Sequence, residues 1–262
     1  MIISLLTDYG IADEFVGVCH GVIADAAPDA RVIDVTHGIR RHDVRHGALV
    51  LRNALPYLPV GVHVAVVDPQ VGTERRAVAM RCADERILIG PDNGVLSLAW
   101  ERAGGVEEAV EITRSPFRLE PVSATFHGRD VFAPVAARIA AGGHLREAGE
   151  PLELDKLAVL ELPQPQIADG VAAGHALLVD GYGNISLDLT HEHMLALDLT
   201  LGARVDVNGR EATVVQTFAD VGAGELLVYE DAWGAVALAV NRGNAAAELG
   251  VERDAEVRVA RR

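Results

Sequence analysis

Two short segments concentrate the side chains able to hold charge or move protons: DPQVGTERR at residues 68–76 and TFHGRD at residues 125–130. In the first, an Asp, a turn-forming Pro and Gly, and a basic pair share one loop. Asp68, once ionised, accepts several hydrogen bonds. Arg75 keeps its charge at any ordinary pH and can polarise a water or clamp a carboxylate. His127, in the second segment, is of the one type that titrates near neutrality, which suits proton handling. Plainer roles stand beside these. A surface Glu–Arg ladder contributes little; it suits Arg76 better than Arg75, though spacing does not separate the two. A lone loop His is more often structural, and Arg129 and Asp130 form either a local pair or a helix cap.

Further acidic and amide groups sit where strands end. Asp8 follows the first apolar run and Asp68 the third. In open α/β sheets ligands bind beyond the carboxyl ends of the strands, so two such carboxylates can share a cleft. An Asp there can hold both hydroxyls of a ribose, or simply cap the next helix. DGYGN at 180–184 reads as a tight turn, from which Asp180 and Asn184 can point at a ligand. The NRGN stretch, with Asn241 and Arg242, follows another strand with the same two readings.

Several chemistries lack their signatures. No G-x-G-x-x-G or G-x-x-x-x-G-K opens the chain, which removes support for a Rossmann dinucleotide site and a P-loop. No G-x-S-x-G elbow supports Ser-His-Asp catalysis. His191-Glu192-His193 would put two imidazoles on one face of a strand, but a third ligand is lacking nearby and the helical H-E-x-x-H spacing is absent. No metal site is expected.

The elements that must position these residues follow from the apolar pattern. Buried strands are expected at 2–6, 31–35 and 62–67, separated by helices at 13–26 and after Asp43, the latter with Val44, Ala48, Leu51 and Leu55 inward. Strand–helix alternation implies parallel pairing with right-handed crossovers. Strands at 77–82 and 86–89 and a helix at 130–141 complete an N-terminal α/β domain, residues 1–155, with a mainly parallel sheet between helices. Residues 156–170, with two prolines and no helical period, read as a linker. Residues 171–262 carry short strands at 175–180, 184–189, 204–207, 211–218, 225–229, 235–240 and 256–259, which suggest a smaller all-β barrel-like domain.

Composition narrows the partners. The 262 residues are 50% hydrophobic but only 4% aromatic, so aliphatic residues must build the core. Asp and Glu total 38 against 23 Lys and Arg, a net charge of −15, which disfavours nucleic acid and anionic membranes as partners. Cys19 and Cys82 have no motif spacing and read as reduced core residues. The N-terminal MIISLLTDYG lacks a basic leader and meets Asp8 early, and no run approaches a membrane span, so a cytoplasmic location is expected.

Seven segments in order carry a resemblance: TDYG (7–10), DVTH (34–37), VVDPQVGTERR (66–76), GPDNGVLS (90–97), FHGRDVFAP (126–134), VDGYGNIS (179–186) and AVNRGNAAAELG (239–250). Together they closely resemble the SAM hydroxide adenosyltransferases, relatives of the SAM-dependent fluorinase and chlorinase, over nearly the whole chain. The resemblance implies a homotrimer in which S-adenosylmethionine (SAM) lies between the N-terminal domain of one subunit and the C-terminal domain of the next. It implies that Asp68, Arg75 and His127 handle a water, that Asp8 holds the ribose diol, that Asp180 and Asn184 meet the methionine end, and that Asn241 and Arg242 flank the adenine. The implied reaction is attack of water on ribose C5′, giving adenosine and methionine, with SAM as substrate and no cofactor. The alternatives are a chlorinase-like SAM-dependent halogenase and a non-catalytic SAM- or adenosine-binding module. One departure stands out: relatives usually read DPGVG where this chain has Gln70, which would cost stability if that position required left-handed backbone. Trp233 replaces part of an SSG-like stretch and can pack on the adenine or in the barrel.

Overall fold

The computed structural model describes residues 1–262, which divide into two compact units, Met1–Leu160 and Glu161–Arg262. The first is built on seven strands: β1 (Ile2–Thr7), β2 (Arg31–Thr36), β3 (Val62–Val66), β4 (Ala77–Cys82), β5 (Ile87–Pro91), β6 (Val106–Glu111) and β7 (Glu150–Pro151). Their order in the sheet is β2-β1-β3-β5-β4-β6-β7. The pairings from β2 to β5 are parallel, and those from β5 through β4 and β6 to β7 are antiparallel. The expected parallel sheet therefore covers the half that carries Asp8 and Asp68. β3 is buried along its whole length, as a central parallel strand covered on both faces must be.

Helices α1 (Phe15–Ala26), α2 (Val44–Ala54), α3 (Ser97–Arg102) and α4 (Ala133–Ala140) cover the two faces. Cys19 and Ile23 of α1 pack with Val135, Ala136 and Ile139 of α4 against Ile3, Leu5, Val64 and Val66. Leu51 of α2 and Ala99 of α3 pack on the opposite side with Leu6, Ala65 and Met80. Alternate residues of β1 thus feed two cores, as the period of two requires. Asp43 caps α2 by accepting the His46 N–H at 2.9 Å, as its place in the sequence suggests. Both cysteines are buried thiols, and burial pushes each up to about 12.

The second unit contains β8 (Gln166–Ala168), β9 (Val171–Val179), β10 (Ile185–Thr190), β11 (Arg204–Val207), β12 (Arg210–Val214), β13 (Leu226–Glu230), β14 (Ala235–Val240) and β15 (Glu256–Arg261), with short helices α5 (His191–Ala196) and α6 (Ala245–Leu249). Seven strands, β9 to β15, close into a barrel in the order β10-β14-β13-β12-β11-β15-β9, sealed by the β9–β10 pairing, with β8 added on β9. Closure leaves no barrel edge unpaired, and alternate residues such as Val205, Val207, Val257 and Val259 fill the interior. The His191-Glu192-His193 stretch is the first turn of α5, so the expectation that both imidazoles share a strand face is corrected. The His193 imidazole instead accepts the Thr190 N–H at 3.0 Å and caps the helix. No helix is long and apolar enough to cross a membrane.

Candidate active site

Beyond the carboxyl ends of β1 and β3 lies a cavity of about 380 Å³. Asp8 and Asp68 both line it, so the two strand-end carboxylates share one cleft. Its wall also contains Tyr9, Phe15, Arg41, His42, Thr125, Phe126 and His127.

Arg75 stands behind this wall and joins two of its members. Its Nε donates to both Asp68 carboxylate oxygens, at 2.9 and 3.0 Å, and its Nη2 donates to Asp68 Oδ2. The same Nη2 lies 3.0 Å from His127 Nδ1. A guanidinium has only donors, so Nδ1 must be the acceptor and the neutral ring carries its proton on Nε2. Burial, and next the Arg75 charge, push the His127 pKa down, which keeps that ring neutral. The ion pair itself is buried on both sides, with 4% and 6% of the Arg75 and Asp68 side chains exposed. The guanidinium also lies 5.3 Å from the centre of the Phe132 ring, a cation–π contact.

Local backbone brings the two segments together. In the 68–76 loop, Gly72 has φ +79°, and a Cβ there would stand 2.4 Å from the Ala124 carbonyl oxygen. The loop therefore rests directly on the segment that carries His127. Gln70 is not among the non-glycine residues with positive φ; its carbonyl takes the Thr73 N–H at 3.1 Å and the Thr73 hydroxyl at 2.7 Å. The demand for glycine in this loop falls on Gly72, and the departure at Gln70 is accommodated. Residues Gly128–Phe132 form one wide π-type turn ahead of α4, a feature common at functional sites. A Cβ on Gly128 would meet the Tyr9 hydroxyl at 2.1 Å, so this glycine lets the His127 turn close over Tyr9.

The basic pair separates cleanly. Arg76 donates to Asp92 Oδ2 at 2.9 and 2.5 Å and to the Lys156 carbonyl, which makes it a structural tie. Asp130 is bound by Arg129 at 2.6 and 2.9 Å and accepts the Ser123 N–H at 2.7 Å, so it anchors the loop leading to His127. Asp8 Oδ2 accepts the His42 N–H at 2.8 Å.

Residue types alone did not single out the aromatic wall. Tyr9, Phe15 and Phe126 form a mutual cluster with ring centroids 5.9, 5.9 and 5.2 Å apart. Burial raises the Tyr9 hydroxyl well above its ordinary value, so it is neutral. In a chain with only eleven aromatic residues (five Phe, four Tyr, two Trp), the one local signal is that Tyr9 adjoins Asp8 and Phe126 adjoins His127; that the rings meet is visible only in the fold. An aromatic wall suits a cation, by cation–π attraction, or a base, by stacking.

In the second unit, Asp180 is the hub of its own turn. Its Oδ1 accepts the Tyr182 and Asn184 N–H groups at 2.8 and 2.9 Å, and its Oδ2 accepts the Asn184 side-chain amide at 2.9 Å. The Ala246 N–H bonds the Gly183 carbonyl at 3.0 Å, so the DGYGN turn packs against the stretch that begins with Asn241 and Arg242. Asn241 donates to the Val221 carbonyl at 2.8 Å. Arg242 is exposed with φ 59°, and Trp233 is half exposed.

Comparison with known proteins gives a consistent picture. Residues 3–149 match the model of the SAM hydroxide adenosyltransferase N-terminal domain, and residues 174–258 match that of the C-terminal domain. A protein of Salinispora tropica named (R)-S-adenosyl-L-methionine hydrolase is 50% identical over 98% of this chain and 97% of its own. A protein of Nocardia brasiliensis named fluorinase is 28% identical over 98% and 96%. The crystal structure of an uncharacterized conserved protein from Thermotoga maritima superposes with a TM-score of 0.91 at 37% identity, covering all of both chains.

Proposed function

The chain belongs to the SAM hydroxide adenosyltransferase family, and we infer from that membership and from its site that it is an enzyme that hydrolyses SAM to adenosine and L-methionine. The observation that carries the chemistry is Arg75 bridging Asp68 and His127 at the cavity wall.

Water attacks ribose C5′ in line with the sulfonium. The C5′–O bond forms as the C5′–S bond breaks, and the bonding pair goes to sulfur, leaving neutral methionine. His127, protonated on Nε2, donates to the water oxygen and aims a lone pair at C5′. Asp68 accepts the proton that the attacking water must lose; one proton is released per turnover. Arg75 acts through its two neighbours and is a positioning residue. Fixing the water this way converts a bimolecular step into a nearly unimolecular one. Positive charge on sulfur disappears in the transition state, so expulsion of water from the cavity as the substrate fills it favours the reaction, while the aromatic wall serves to bind the cationic substrate. Asp8 holds the ribose diol with the carboxylate that His42 N–H orients.

The residues of the second unit take the rest of the substrate: Asp180 and Asn184 the methionine end, Asn241 and Arg242 the adenine side. They act in a site completed by a neighbouring copy, within a cytoplasmic homotrimer. No cofactor takes part, and neither nucleic acid nor membrane is a partner.

Purified protein given SAM in water enriched in heavy oxygen should yield methionine and adenosine carrying the label at the 5′-oxygen. Label-free adenosine, or none, would defeat the reading; formation of 5′-halogenated adenosine in halide would favour the halogenase alternative. Light scattering tests the trimer. Mixing subunits carrying Arg75→Ala with subunits carrying Asp180→Ala should restore activity if the site is shared between copies, and should not if each chain holds a complete one.

A further inference from the structure

His20 on α1, Asp34 on β2 and His37 in the loop after β2 meet at the edge of the first sheet, outside the cavity wall. His20 Nε2 lies 2.9 Å and His37 Nε2 3.0 Å from the same oxygen, Asp34 Oδ1, and the three donor atoms all lie within 4.8 Å of one another. We propose that His20, Asp34 and His37 form a binding site for a divalent first-row transition-metal ion of the Zn²⁺ type.

The His37 ring carries the argument. It is 6% exposed, and its Nε2 is buried without a hydrogen bond of acceptable geometry despite facing Asp34. Its other nitrogen, Nδ1, sits 2.8 Å from Thr7 Oγ1, which already accepts the Tyr9 N–H at 3.2 Å. With Nδ1–H donating to that hydroxyl, the Nε2 lone pair points into the cluster. This is the outer-shell arrangement that fixes a metal-ligating imidazole. Donors about 2.1 Å from one tetrahedral ion stand about 3.4 Å apart, so the two imidazoles, now at 2.9 and 3.0 Å from Asp34 Oδ1 with His20 hydrogen-bonded to it, need to open by only a few tenths of an ångström to admit one. Two imidazoles and one carboxylate favour ions such as Zn²⁺, Co²⁺ or Ni²⁺ over Mg²⁺ and Ca²⁺, which prefer oxygen ligands. His20 and Asp34 are partly exposed, 37% and 40% at the side chain, so an ion can enter and waters can complete its shell.

The ion's role is structural. None of its ligands lines the cavity, but the His37 carbonyl accepts the Gly10 N–H at 2.8 Å, and the loop from His37 ends at His42, which holds Asp8. Occupancy would tie α1, β2 and this loop together. The proposal is independent of the hydrolytic reading.

The test is calorimetric titration of the full, tag-free chain, stripped with chelator, using ZnCl₂ alone. The expected result is one ion bound per chain, with His20→Ala and Asp34→Asn each weakening affinity at least about tenfold. Zn²⁺ should raise the melting temperature of the wild type by mass action and leave that of His20→Ala unmoved; the His20 substitution is at the surface and keeps the fold. Co²⁺ should give visible d–d bands that Zn²⁺ abolishes. Absence of saturable uptake, or equal binding by wild type and both variants, overturns the site and leaves a hydrogen-bonded cluster. Displacement of Zn²⁺ by equimolar Mg²⁺ overturns the ion class.

Discussion

Arg75 Nη2 stands 3.0 Å from His127 Nδ1 while its Nε grips the Asp68 carboxylate. One planar cation therefore sets the orientation of two side chains and the tautomer of one of them. Lysine has a single ammonium and cannot bridge both at these angles. Arg75→Lys should lower kcat about 10²-fold with KM little changed, as steady-state assay of methionine release will check. Arg75→Met should lose as much activity and also unfold more easily, by about 3–5 kcal/mol, because Asp68 is left buried and unpaired. Equal kcat for wild type and Arg75→Lys would remove the bridge from the mechanism.

The same contact sets the acid limb of the pH profile. Burial first, and then the Arg75 charge, hold the His127 pKa below its ordinary value. Protonation of His127 would place a second cation beside the guanidinium and break the Nδ1 contact. Activity should persist below about pH 6.5, the usual histidine midpoint, and fall only at lower pH. Removing the charge in Arg75→Met should shift this limb upward. A limb at or above the usual midpoint in the wild type would contradict the neutral, preset ring.

Asp8 should matter for binding more than for the chemical step. Hydrogen bonds to a charged group contribute roughly 1.5–3 kcal/mol, so Asp8→Asn should weaken adenosine binding about 10- to 100-fold. Asn keeps an acceptor for the His42 N–H, so the loop stays in place. Titration of adenosine into the two proteins measures this, and kcat at saturating SAM should change far less than KM.

Much of this site was legible from residue order. β1 and β3 are nearly unbroken apolar runs that end in Asp8 and Asp68, and pattern alone places both acids at one sheet edge. The Asp43 cap and the turn at Asp180 are local events with local signatures. What stayed hidden depends on distant contacts. Nothing in ERR distinguishes Arg75 from Arg76; the partners do, and they are Asp68 and His127 for one, Asp92 for the other. The Tyr9–Phe15–Phe126 cluster unites residues more than a hundred positions apart. The helix at His191–Ala196 is only six residues long, too short for a period to emerge, so HEH read as strand.

His63 makes the stability of the first unit sensitive to acid. It lies on the central strand β3, fully buried, with Nδ1 2.9 Å from Ser4 Oγ, and burial lowers its pKa to about 4. In the unfolded chain it returns to about 6.5. As pH falls below that value the unfolded state takes up a proton that the folded state refuses. This contribution is intact above about pH 6.5 and drains at about 1.4 kcal/mol per pH unit, reaching about 3 kcal/mol near pH 4. His63→Gln, which cannot titrate but can still bond Ser4, should flatten the dependence. Urea melts at about pH 7.5 and about pH 5 would show it; equal slopes for the two proteins would acquit His63.

Gly72 and Gln70 offer a last contrast within one loop. Gly72 needs its missing side chain twice: its φ is +79°, and a Cβ would stand 2.4 Å from the backbone oxygen of Ala124. The left-handed backbone alone costs an alanine about 1–2 kcal/mol, and the carbonyl can yield only if the 123–127 segment moves. That movement would carry His127 away from Arg75. Gly72→Ala should therefore lose both stability and kcat, and its acid limb should rise as the Arg75 contact lengthens. Gln70 is not in left-handed backbone, so Gln70→Gly gains no relief from strain and adds unfolded-state entropy, a loss of about 0.5–1 kcal/mol at most, with kcat near wild type. Should Gln70→Gly raise activity strongly while Gly72→Ala leaves it alone, the loop's demand for glycine has been assigned to the wrong position.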